Sequence, residues 1–212
     1  MKKYYKFLYE KEGKIVSSHK DFEWKIGKEY SVTGDIRNCN RSEPTNGLHA
    51  SEQPLDALKY VGGHVIATVE ARGDSDNEDD KVCFRSMRIV KAYRWTTLDS
   101  VAFAIYAAEQ VIKVYEDKYP NDSRPRDAIK AAKAYLKDPT KDNARAAYAA
   151  DAAAYAARAA YAADAAEAAA YAAYAAYAAE AAARAAYAAY AAINAKLNRW
   201  IKNRIKKLEE IK

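Results

Sequence analysis

Three short runs in this chain carry side chains that could do chemistry. In the first, His49 follows Gly47-Leu48, with Glu52 and Asp56 close behind it. A histidine so placed could orient a ligand or act as a general base. No second motif completes a nucleophile or a metal site beside it, so a structural role stands next to the functional one. In the second run, Arg124-Pro125-Arg126 sets two guanidiniums at a helix start, where the helix dipole does not favour them. Cations in such a place take partners, and internal pairing with Glu109 and Glu116 is the favoured reading over an anion or partner site. In the third, Asp74 to Asp80 alternates carboxylates somewhat as a calcium loop does. Asp79 stands where that loop needs glycine, and Arg85 where it needs its bidentate glutamate. A solvated hairpin loop accounts better for that run. The candidate ligand- or partner-binding residues are therefore His49, Glu52, Asp56, Arg124 and Arg126, with no catalytic set and no metal or other cofactor expected. His19 and His64 each stand alone and read as structural.

The elements that must position these groups fall into two halves. Six of the seven glycines lie between Gly13 and Gly63, the seventh is Gly73, and none follows Trp95. The expected architecture is α+β: a small mixed α/β-sheet domain over 1–94, then an all-α, Ala-rich helical bundle over 96–212. In the first half, Tyr4 to Tyr9 and Lys14 to Ser17 read as a hairpin turning at Glu12-Gly13. Short strands are expected at Glu29 to Val32 and Gly47 to Ala50, and Pro54 suits the first turn of a brief helix. His64 to Ala71 and Val82 to Tyr93 are the best strands, with the acidic loop between them.

In the second half, Leu98, Val101, Ile105, Ala108, Ile112, Tyr115 and Tyr119 are spaced alternately three and four apart. That is one helix face, capped by Thr96 or Thr97 and ended by Pro120. Ser123 and Pro125 open another helix, which Asp138-Pro139 stops near Lys137. Thr140 can cap the last element. Residues 144–195 contain 35 alanines in 52 positions, with eight tyrosines and a few charges among them. Its non-alanine residues recur about every 3.2 positions against 3.6 per helical turn, so their stripe precesses about once in 29 residues. The tract is either one helix of roughly 105 Å or two helices broken near Asp164 to Glu167, and compactness favours the break. Tyrosine supplies the apolar area that alanine lacks and keeps its hydroxyl at the surface. Lys196 to Lys212 reads as an amphipathic final helix, with Leu197, Trp200, Ile201, Ile205 and Leu208 on one side.

Composition bounds the function. The net charge of +6 and pI near 9.0 fall short of a nucleic-acid-binding signature. Cys39 and Cys83 form no metal spacing and no disulfide framework, so a reducing, cytoplasmic location is expected. No apolar run follows the basic N-terminus as in a signal peptide, and charges or tyrosines interrupt the alanine tract too often for a membrane span.

Two resemblances cover most of the chain. Residues 21–92 resemble a phage and prophage domain of unknown function. The resemblance rests on Phe22-Glu-Trp-Lys-Ile-Gly-Lys-Glu-Tyr30, on Gly47-Leu-His-Ala50 leading into Pro54-Leu-Asp-Ala-Leu58, and on Val65-Ile-Ala-Thr-Val-Glu-Ala71. Where that family has Phe and Cys around the same histidine, this chain has Leu48 and Ser51, so no cysteine chemistry carries over. Residues 107–160 resemble an immunity protein family of bacteria and phages. Here the residues are Ala108-Glu-Gln-Val111, Tyr115-Glu116, Tyr119-Pro-Asn-Asp-Ser-Arg-Pro-Arg126 and Ala128-Ile129. The order of strand 47–50, helix 54–60 and strand 65–71 is also loosely similar to the middle of ADP-ribosyltransferases, with Glu70 as a stand-in for their catalytic glutamate.

These resemblances imply a mobile-element setting. The expectation is a non-enzymatic phage- or prophage-encoded accessory protein that binds a bacterial defence component or a toxin. Its α+β head would carry specificity, and its Ala-rich helices would scaffold it or make it a homo-oligomer. A degenerate ADP-ribosyltransferase-like enzyme and a sponge for a small nucleotide are the alternatives.

Overall fold

The computed structural model describes residues 2–37, 46–78, 80–143 and 179–212. The chain forms two units, Met1–Thr97 with Asn198–Lys212, and Leu98–Leu197.

The first unit is built on an eight-stranded antiparallel sheet, in keeping with an α+β chain. Strand β1 (Tyr4–Lys11) turns into β2 (Lys14–Val16) at Glu12-Gly13, whose φ angles of 52° and 74° are those a tight two-residue hairpin turn demands. Strand β3 (Glu23–Trp24) pairs with β2, and β4 (Glu29–Ser31), β5 (Leu48–Ala50) and β8 (Glu210–Ile211) all pair with β7. Strands β6 (Val65–Glu78) and β7 (Lys81–Arg94) form a hairpin 14 residues on each side, and β6 also pairs with β1. The acidic run expected as a loop is therefore mostly strand: Ser75, Asp76, Asn77 and Glu78 face Phe84, Cys83, Val82 and Lys81 in register. Asp76 is exposed there while the backbone keeps its ladder. Register shifts at Thr68/Val69 and Arg72/Ser75 add twist. The sheet curls until Ser51, just past β5, bonds Tyr5 of β1 in both directions at 2.8 and 2.9 Å. Strand β5 thus bridges β7 back to β1.

Inside the curl lie Leu8, Ile15, Trp24, Ala50, Val65, Ala67, Val69, Val82, Phe84, Met87, Ile89 and Ala92. Ile66 and Phe7 alternate with these and are also buried, so the sheet is covered on its other face as well. There Phe7 meets Trp95 edge-to-face at 5.6 Å between ring centroids, and Trp95 meets Trp200 at 6.4 Å. Ile201 and Ile205 are buried with them. Helix α1 (Pro54–Tyr60) is held at its start by Asn198 and Lys202: the Leu55 amide donates to Asn198 Oδ1 at 3.0 Å, and Lys202 Nζ donates to Gln53 Oε1 at 2.7 Å. The chain then ends on the sheet. The expected helix over Lys196 to Lys212 stops at Ile205, and Glu210 and Ile211 face Tyr93 and Ala92.

The second unit holds α2 (Thr97–Glu109), α3 (Ile112–Lys118), α4 (Arg124–Lys137) and the first part of α5 (Ala179–Ile205). The single helix expected from Leu98 to Tyr119 breaks at Gln110. The Gln110 side chain bonds the Tyr106 carbonyl, while the Gln110 and Val111 amides reach only three residues back. Lys133 pairs with Glu109 between α4 and α2. The Asn143 amide donates to Thr140 Oγ1 at 3.3 Å, so Thr140 caps the helical turn at 141–143. The choice between one long helix and a break near Asp164 to Glu167 lies outside the described residues. Among the described residues, no helix is long and apolar enough to cross a membrane.

Candidate functional site

The site is built around His49. Gly47, at φ 144°, brings the chain against Cys83 so closely that a Cβ there would lie 2.0 Å from the sulfur. Strand β5 follows at once. Leu48 and Ala50 go to the core, and the alternation puts His49 on the opposite side, towards α1. Between them is a cavity of ≈ 60 Å³ lined by Tyr5, Phe7, His49, Ser51, Tyr60 and Lys81, with Ala57 and Val61 of the α1 region completing it.

The electrostatics there are cationic. Lys6 Nζ donates to the His49 carbonyl at 2.7 Å and lies 5.6 Å from the centroid of Trp24. Among the described residues no carboxylate meets that ammonium, and burial lowers Lys6 to a pKa of about 8. Burial and the charges of Lys6 and Lys81 lower His49 to about 4, so the imidazole is neutral at physiological pH. Its Nε2 is buried without a hydrogen-bond partner. Lys81 lies over the exposed Tyr60 ring at 4.8 Å, and the Tyr60 hydroxyl donates to Asp80.

The carboxylates expected around His49 serve other cations. Glu52 pairs with Lys2 at the surface, and Asp56 pairs with Lys59 one turn on at 3.0 Å. Lys59 also meets Asp80 at 3.0 Å. Burial acts to raise the Asp80 carboxyl, but the bonds from Tyr60 and Lys59 outweigh it and keep it below the ordinary value. The structure therefore does not join His49, Glu52 and Asp56 into one acid–base group. Cys83 stands opposite His49 across the ladder, yet its thiol donates to the carbonyls of Asn46 at 3.2 Å and Arg37 at 3.4 Å. Glu70 is held by Arg88, Nη2 to Oε2 at 2.7 Å, and that bond lowers its pKa.

In the second unit, Arg126 makes the pair expected with Glu116, at 2.5 Å. Arg124 does not reach Glu109; it pairs with Asp122 at 2.6 Å, and Tyr115 Oη donates to the same carboxylate at 2.6 Å. The bonds from Arg124 and Tyr115 hold the Asp122 carboxyl well below the usual range. Two neighbouring side chains that sequence reading passed over, Lys6 and Lys81, belong to the His49 site. The signal for Lys6 was a lysine inside an otherwise apolar strand. Because Tyr4 to Tyr9 is apolar on both faces, its alternation did not say which way that lysine pointed.

Compared with known families, residues 7–101 match a family described as Domain of unknown function (DUF7666). The match includes His49, Ser51, Tyr60 and Lys81 but begins after Tyr5 and Lys6, and it agrees with the expectation of a domain of unknown function there. No curated protein and no solved structure matches the chain.

Proposed function

We propose that this chain works by binding a partner and not by turning over a substrate, with the first unit carrying the recognition site at His49. One observation carries the reading. The imidazole is enclosed beside two lysines, while Glu52, Asp56 and Asp80 are each committed to another cation. General acid–base catalysis needs a group poised near the working pH and a second group to orient it. An imidazole held neutral down to about pH 4 serves poorly as that base, and among the described residues its buried Nε2 has no hydrogen-bond partner to orient it. Glu70, the acid that a transferase reading would need, is neutralised by Arg88.

The setting that fits is a phage- or prophage-encoded accessory protein acting on a bacterial defence component or a toxin. The Ala-rich half would serve as a helical frame that scaffolds the head or joins copies of the chain. Affinity capture from phage-infected or plasmid-bearing bacteria tests this, with His49→Gln and Tyr60→Ala beside the parent protein. The expected result is one host protein retained by the parent and lost from both variants. Capture of no host protein, or equal retention by all three, overturns the reading. Transfer of label from NAD to protein in a bacterial lysate would overturn its non-enzymatic part.

A further inference from the structure

The two ends of the sheet meet through side chains. Strands β3 and β4 stand at opposite ends of the strand order, and aromatic rings close the gap between them. Trp24 and Tyr30 lie 5.1 Å apart between ring centroids, and Phe22 lies 5.2 Å from each, all edge to face. Trp24 belongs to the core and Tyr30 packs against it, whereas Phe22 is 42% exposed and carries this aromatic cluster out to solvent. The rings are held in place. The Trp24 indole donates to Ser17 Oγ at 2.8 Å, the Lys25 amide donates to the Tyr30 hydroxyl at 3.0 Å, and the Ser17 amide donates to the Phe22 carbonyl at 2.9 Å. Such a platform loses little freedom when a ligand lands on it.

The charges that meet these rings are positive. Lys6 Nζ lies 5.6 Å from the centroid of Trp24, and Lys28 Nζ lies 5.1 Å from that of Tyr30. Lys28 is exposed, and among the described residues no carboxylate pairs with it. Glu23 and Glu29 precede Trp24 and Tyr30 on their strands, so alternation turns both carboxylates away from the rings. Glu23 is held by Lys14 at 3.0 Å and Lys25 at 3.9 Å, and Asp21 is taken by Lys11.

A fixed ring face beside a free cation selects among ligands. An acidic side chain would use Lys28 and leave Phe22 idle, and an apolar peptide would do the reverse. A sugar stacks on rings but brings no charge. Single-stranded nucleic acid offers a planar base and a phosphate in every repeat, and its unpaired bases stack on aromatic side chains while its backbone follows the cations. We propose that the Phe22–Tyr30 surface binds single-stranded nucleic acid, with a base stacked on Phe22 and a neighbouring phosphate on Lys28. The net charge of the whole chain, +6, is modest, so the surface serves a short stretch of strand. This inference does not depend on the reading of His49.

The test is fluorescence anisotropy of a fluorescein-labelled thymidine strand of about twelve nucleotides, titrated with the full chain. Binding should saturate in about 50 mM salt, and the logarithm of the affinity should fall against that of salt with a slope of about −1 to −2. Phe22→Ala should weaken binding about tenfold, and Phe22→Tyr, which keeps a ring, by about twofold at most. Lys28→Gln should take about 0.7 off the salt slope. An abasic strand of the same length, a duplex and a hexaglutamate peptide should each compete poorly, since none presents free base faces together with phosphates. No saturable binding up to about 200 µM protein, equal affinity for the parent and a folded Phe22→Ala, or equal competition by the abasic strand or hexaglutamate overturns the proposal. The salt slope keeps the test decisive should Phe22→Ala fail to fold: a slope unchanged in Lys28→Gln overturns it as well.

Discussion

The ammonium of Lys6 lies 2.7 Å from the backbone oxygen of His49, so a half-buried cation on β1 ties down the strand on which the cavity histidine sits. Among the described residues, the paired bonds between Tyr5 and Ser51, just past β5, are the other backbone link at this seam. Lys6 thus supplies a donor at a seam where the ladder is one pair long. The arrangement costs desolvation and returns a charge-assisted hydrogen bond.

That balance depends on pH in a defined direction. The folded-state pKa of Lys6 is about 8 against 10.5 ordinarily, so the unfolded chain binds more protons between those values and stability rises with pH across them. Lys6→Met abolishes this contribution, which is at most about 3 kcal/mol because part of the side chain still reaches water. Urea midpoints at pH 7.5 and 10 should show a rise in the parent protein relative to Lys6→Met; equal changes in the two would refute it.

His49 makes the opposite end of the pH range informative. Its folded pKa is about 4 against 6.5, with Lys6 and Lys81 facing it, so the neutral ring contributes fully above 6.5 and its contribution is lost as pH falls towards 4. Between pH 7 and 4 the parent should lose about 1–3 kcal/mol more than His49→Gln. Chemical unfolding followed by circular dichroism at both pH values measures the difference.

Gly47→Ala should be strongly destabilising, by more than about 2 kcal/mol, because the added methyl meets Cys83 Sγ and the φ of 144° disfavours any side chain. Adding Cys83→Ala should restore part of the loss, since it removes the clash but not the backbone strain. A double-mutant cycle on unfolding free energy reads the coupling. Simple additivity would show that the sulfur contact is not the cause.

Ile201 is buried in the first unit although more than a hundred residues separate it from Trp95. Ile201→Ala should cost about 2–5 kcal/mol and lower the melting temperature by several degrees. Ile211→Ala, at a half-buried position on the two-residue strand β8, should cost distinctly less. A cost for Ile201→Ala no greater than that for Ile211→Ala would mean that the C-terminal helix is not anchored in this core.

Much of the frame was legible from local rules. Glu12-Gly13 marked the first hairpin, Pro54 the start of α1, and Asp138-Pro139 the end of α4, because each acts through its own dihedral preferences. Arg126 with Glu116 was legible too, since consecutive helices bring such charges into reach. The acidic run misled because exposed carboxylates on a strand and in a loop look alike until a partner strand claims the backbone. Gln110 misled because its neighbours keep the heptad face while its own side chain takes a helix carbonyl.

By itself the sequence determined the first hairpin, the cores of the two long strands and the helices opened at Pro54 and Ser123, since these depend on residues within a turn or two. Tertiary structure alone decided that Lys6 and Lys81 meet at His49, that Glu52 and Asp56 turn to other cations, and that the last fifteen residues return to the first sheet. Those outcomes depend on which distant surfaces exclude water together. That is a property of the closed sheet and not of any segment of the chain.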